Sequence, residues 1–109
     1  MKAIIDIKAD GLDVSFTRYG NDNAIAYLSY RGDNVSYVYE IDEQARTIVE
    51  SHVHSKEGAT FEQSYPLNFI HHYSPRKGIY IELYYDLEKS TLNIAQIDRK
   101  NIIERKYHV

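Results

Sequence analysis

Two histidines one residue apart, in His52-Val53-His54, are the arrangement in this sequence best suited to holding a metal ion. Alternate side chains of a β-strand share a face, so both imidazoles would point the same way, with His71, His72 or His108 as a third ligand. The competing reading is a pair of solvent-facing histidines around an inward Val53, and no carboxylate is spaced to complete a ligand set. A metal-dependent small β-barrel enzyme or sensor using His52 and His54 is therefore the alternative expectation, behind a protein without metal or other cofactor. Other chemistry is thinly represented. With no cysteine there is no thiol nucleophile, thiolate zinc site or disulfide framework. Neither a Gly-x-Ser-x-Gly elbow nor a glycine-rich phosphate loop occurs. Sixteen acidic residues are available for acid–base work, but nearly all fall in turns or at outward strand positions. A catalytic carboxylate needs burial or a close like charge to tune it. The expectation is a protein that is not an enzyme.

Tyrosine supplies 11 residues against three Phe and no Trp. A buried tyrosine must find a partner for its hydroxyl, so a β core fills more readily with Ile, Val and Phe. Some of these rings are therefore expected at the surface, where tyrosine offers large, rigid contact area at little rotamer entropy. The competing use is cross-strand packing on a solvent face. Tyr80, Glu82 and Tyr84 alternate along one apolar stretch. If their face is covered, Glu82 needs a partner; if it is open, the three form an acidic, aromatic stripe. Tyr37, Tyr39, Glu40 and Asp42 repeat the combination, and Asp33 would act as a rim charge. These eight residues are the expected partner-binding set. They mix two faces, because the pairing of the strands is not written in the alternation.

Charge narrows the partner. The formal net charge is −3, with 13 Lys+Arg against 16 Asp+Glu. Residues 1–50 carry nine acids and five bases, residues 51–109 seven and eight. A general nucleic-acid binder needs many uncompensated cations, so that class is disfavoured. Arg76, Lys77, Arg99, Lys100, Arg105 and Lys106 read better as charges that discourage sheet-to-sheet association. The expected partner is a basic protein. In its most concrete form the expectation is an immunity protein or antitoxin that neutralises a cognate toxin such as a nuclease, since complementary potential also speeds encounter. Homo-oligomerisation is compatible with this. A lipocalin-like cavity would take core volume that 109 residues can hardly spare. Arg31-Gly32-Asp33 is explained as turn chemistry, and Asn34-Val35-Ser36 as a chance glycosylation match.

The N-terminal Met1–Lys8 stretch is broken by Asp6 after two isoleucines, unlike a secretory signal with its apolar region of about 7–15 residues. No apolar run approaches the roughly 20 residues that span a bilayer as a helix. The expected location is cytoplasmic, away from membranes.

The elements that must position these residues follow from a period of two. Leu12, Val14 and Phe16 alternate with polar neighbours; Val35, Tyr37, Tyr39 and Ile41 do so too, as do Ile79, Ile81, Leu83 and Tyr85. Turn-forming Asp-Gly, Gly-Asn-Asp-Asn and Gly-Asp-Asn clusters recur about every eleven residues, a hairpin spacing. Strands are expected near 2–8, 12–18, 24–30, 35–41, 47–54, 79–85, 91–97 and 102–108. Residues 60–64 read as a further strand and 65–73 as one short helix or a loop, with Pro66 in a first turn and Pro75 as a stop. Tyr39-Glu40-Ile41-Asp42-Glu43 before Thr47 is echoed by Tyr84-Tyr85-Asp86-Leu87-Glu88 before Thr91, which points to recurring hairpin chemistry. The expected fold is a single all-β domain over 1–109: an antiparallel meander of about eight short strands forming a β-sandwich or partly open barrel.

Overall fold

The computed structural model describes residues 3–9 and 11–108, with side chains from Gly11 onward. The fold is all-β and antiparallel, and the described residues include no helix. Ten strands follow one another: β1 Ala3–Ala9, β2 Leu12–Arg18, β3 Asn23–Tyr30, β4 Val35–Asp42, β5 Thr47–His54, β6 Gly58–Pro66, β7 His71–Arg76, β8 Ile79–Asp86, β9 Thr91–Asp98 and β10 Asn101–His108. They form two meanders, a six-stranded sheet in the order β1 to β6 and a four-stranded sheet in the order β10-β9-β8-β7. The chain divides accordingly into two compact units, residues 1–67 and 68–108.

In the first unit the core-facing buried set is Leu12, Val14 and Phe16 on β2, Ala24, Ala26 and Leu28 on β3, Tyr39 and Ile41 on β4, and Ile48 and Glu50 on β5; Leu67 after β6 and Val38, on the other face of β4, are buried as well. Register explains why these meet: Val14 pairs with Leu28, Phe16 with Ala26, Ala26 with Tyr39 and Ile41 with Ile48. Two alanines in the middle of the face leave room for the rings of Phe16 and Tyr39 beside them, an interleaving of small and large residues. In the second unit Ile81, Leu83 and Tyr85 on β8 pack with Leu92, Ile94 and Gln96 on β9, joined by His71 and Tyr107. Gln96 is a polar member of this core; Arg105 Nη1 donates to its Oε1 at 2.9 Å.

The repeated hairpin motif is realised twice. Asp42 Oδ1 accepts from the backbone N–H of Ala45 at 2.9 Å, and Asp86 Oδ1 from that of Lys89 at 3.3 Å. The residue that closes each turn takes a left-handed backbone, Arg46 at φ 58° and Ser90 at φ 48°. A threonine then opens the next strand in both cases.

The middle of the chain departs from the expectation of about eight strands with one short helix or a loop over 65–73, while the further strand expected at 60–64 lies within β6. β6 runs on through Tyr65, which pairs with Ile48, to Pro66 opposite Thr47. Proline is accommodated because β6 is an edge strand, where a missing N–H removes no ladder bond. The backbone N–H of Leu67 then donates to Arg46 O at 2.9 Å, which turns the chain before a helical turn can start. β7 occupies His71–Arg76, another edge strand, and holds Pro75 within a register shift between Tyr73 and Arg76. Asp10 of the first turn and Lys2 of the expected first strand lie outside the described residues.

Candidate functional site: the open sheet faces

Each sheet leaves one face exposed, and the sequence-predicted residues divide between them. In the four-stranded sheet, β8 turns Ile81, Leu83 and Tyr85 into the core and so projects Tyr80, Glu82 and Tyr84 to the other side. The face is open: Tyr80 is 56% exposed. Register arranges it as three rows. Tyr80 pairs with Ile97, which pairs with Ile102; Ile102 is 67% exposed, so this row is an apolar ridge. The second row runs His72, Glu82, Ala95, Glu104, and the third Tyr84, Asn93, Lys106. His72 Nε2 donates to Glu82 Oε2 at 3.1 Å in an exposed pair. The face is concave around Ala95. A depression of about 330 Å³ is bounded by Ile70, Glu82, Tyr84, Asn93, Glu104 and Lys106.

The exposed face of the six-stranded sheet has a different character. Asp13 (β2), Glu40 and Asp42 (β4) and Glu62 (β6) stand at its register positions, among Ser15, Thr17, Ser29, Ser36, Thr47, Ser51 and Ser64. Among the side chains described, the strands contribute no Lys, Arg or His to this face; on β1, Lys8 and Asp6 sit opposite Asp13 and Ser15 in register. Tyr27 is exposed at its centre and pairs with Val38.

The β4 candidates separate by parity. Glu40 is exposed on this acidic face, whereas Tyr39 has no exposed surface and belongs to the core. A fully buried ring cannot touch a partner, so the expected partner-binding role of Tyr39 is withdrawn. Tyr37 lies on the Tyr39 side, half-buried, and burial together with the carboxylates of Asp33 and Glu50 raises its phenol pKa above the ordinary value. Asp42 and Asp33 serve turns first: Asp42 caps Ala45, and Asp33 Oδ1 accepts from Val35 N at 3.1 Å. The rows around Ala95 are absent from the residues expected at a contact, as are Ile97, Ile102 and Glu104, and Lys106 was expected only as a charge that discourages sheet-to-sheet association. The alternation in β9 and β10 was a signal, but register was needed to bring Glu104 beside Ala95.

His52 and His54 do share a side of β5, but each is engaged. The His52 ring lies between Tyr37 and Phe61, with ring centroids 4.5 and 4.4 Å away, and Nε2 donates to Glu50 Oε1 at 2.9 Å. His54 Nδ1 accepts from the backbone N–H groups of Lys56 and Glu57 at 3.2 and 3.3 Å. His108 Nδ1 donates to Ser90 O at 3.0 Å, and His71 is buried against Phe69. Among the described residues no three His, Cys, Asp or Glu side chains are grouped so as to hold a metal. No helix among them is long and apolar enough to cross a membrane.

No family model, curated protein or solved structure matches this chain. Its function has to be read from the two faces themselves.

Proposed function

We propose that the chain is a non-catalytic protein-binding module that docks a basic partner on the open face of β7–β10, with Tyr80, Glu82 and Tyr84 at the contact. One observation carries the reading: Tyr80 and Ile102 stand in solvent on either side of half-buried Ile97, beside Glu82 and Glu104. Apolar side chains contiguous on a sheet face, rimmed by charge, are the usual mark of an interaction surface. Tyrosine and isoleucine in such a ridge supply contact area, while the carboxylates select the sign of the partner. The acidic face of the six-stranded sheet supports the same choice, because its carboxylates add to the potential that attracts a cationic protein. In its most concrete form the module is a cytoplasmic immunity protein or antitoxin that occludes a basic toxin.

The test is capture of a partner by the wild-type chain and by Tyr80→Ala and Glu82→Lys. Loss of capture with an unchanged melting temperature is the expected result; unchanged capture removes this face from the reading. The immunity form is tested separately, by whether the chain abolishes the activity of a toxin encoded beside it.

A further inference from the structure

We propose that the depression on the open face of β7–β10 seats one lysine or arginine side chain of a partner protein above Ala95, between Glu82 and Glu104. This rests on the docking function above and goes further by naming what enters. Ala95 is in register with Glu82 on one side and Glu104 on the other. Strands lie about 4.8 Å apart, so the two glutamates start roughly 10 Å apart across a residue with only a methyl group. That separation admits one cationic head with a carboxylate at either flank. Ile70 and Tyr84 bound the space, giving the aliphatic stem of a lysine or arginine apolar contact and the charge a ring to approach.

The nearby cations stand at other register positions. Arg105 borders the depression, yet its guanidinium is directed to the buried side, where Nη1 meets Gln96 Oε1. His72 engages Glu82 Oε2 from the outer edge, on β7. Lys106 occupies the next row beside Asn93, so the Ala95 row carries two carboxylates and no lysine or arginine. A partner side chain inserted here would be flanked by the Tyr80–Ile97–Ile102 ridge, a rim that shelters a central charge contact from water.

The experiment uses the full chain, ¹⁵N-labelled, titrated with N-acetyl-arginine amide and N-acetyl-lysine amide, with N-acetyl-glutamine amide as the neutral control. Saturable amide shifts centred on Ala95, Glu82 and Glu104, at millimolar concentrations and absent with the neutral compound, are expected. Ala95→Leu should abolish them by filling the space, and Glu104→Gln should weaken binding about two- to fivefold, as loss of an exposed charge pair does. Retained spectral dispersion shows that each variant is folded, and Glu104→Gln provides the test should Ala95→Leu not fold. Equal shifts with the neutral amide, binding that survives Ala95→Leu, or no localised shift would each overturn the proposal. Partner capture that depends on Tyr80 without any cation binding at Ala95 removes this site and leaves the docking face standing. Capture indifferent to Tyr80 and Glu82 removes the docking function itself.

Discussion

Truncating two tyrosines of one strand, Tyr80→Ala and Tyr85→Ala, tests the face assignment on which docking depends. Both side chains lie on β8, five residues apart and therefore on opposite sides of the sheet. Tyr85 is 1% exposed and Tyr80 56%. Removing a buried aromatic ring forfeits its transfer free energy and leaves a cavity, which together cost about 3–5 kcal/mol. Tyr80 has cross-strand contact with Ile97 on an open face, and such pairs contribute only about 0.2–1 kcal/mol. The expected difference between the variants is thus at least about 2 kcal/mol, or roughly 8 °C or more in Tm for a unit of this size. Thermal and urea melts followed by far-ultraviolet circular dichroism read it directly. The two tyrosines belong to the same compact unit, so the comparison holds whether the units unfold together or apart. Equal destabilisation by the two substitutions would refute the assignment, and with it the ridge that carries the proposed function.

Further outcomes follow from other contacts. The phenol pKa values of Tyr37 and Tyr107 are both raised, chiefly by burial, so the folded state holds those protons longer than the unfolded chain does. Stability should therefore be complete below about pH 10 and decline as pH rises beyond it, and replacing both residues by Phe should flatten that decline in alkaline urea melts. Gly11→Ala and Gly78→Ala should differ. Their φ values are +82° and +85°, but an added Cβ meets the Tyr30 ring at 3.1 Å only at Gly11. Left-handed strain of about 1–2 kcal/mol is expected at both, with an extra loss at Gly11 that Tyr30→Ala should relieve in a double-mutant cycle. Gln96→Ala should cost at least about 2 kcal/mol in chemical melts, since it removes a buried hydrogen bond to a charged Arg105 and opens a cavity. Asp42→Ala should cost about 1 kcal/mol through the lost turn bond to Ala45, and a melt that does not move would detach that bond from hairpin stability.

The alternation of Ile79, Ile81, Leu83 and Tyr85 with Tyr80, Glu82 and Tyr84 separated the two sides of β8, but whether the Glu82 side is covered or open was decided by the structure, in which Tyr80 is 56% exposed. The hairpins were equally legible. Asp42 and Asp86 make the same side-chain-to-backbone bond because a turn followed by a left-handed residue demands it wherever it occurs. β4 was not legible in this way. Val35, Tyr37, Tyr39 and Ile41 face Ser36, Val38 and Glu40, so the sequence indicated an inward set without indicating how deep each ring would lie. Tyr39 is sealed because Ala26 pairs with it, while Tyr37 stays half-buried beside His52.

Composition and period two by themselves determined an antiparallel all-β chain with hairpins at the acidic and glycine-containing turns, since these depend on each residue's own conformational preferences and on near neighbours. Only the tertiary structure decided that β6 runs on to Pro66 and β7 starts at His71 where a helix or a loop was expected, that His52 is committed to Tyr37, Phe61 and Glu50, and that Glu82 and Glu104 flank Ala95. Those outcomes depend on the register between strands. A slip of one residue would move every side chain of a strand to the opposite face, and the choice is fixed by the summed burial of whole rows, which no local stretch of sequence contains.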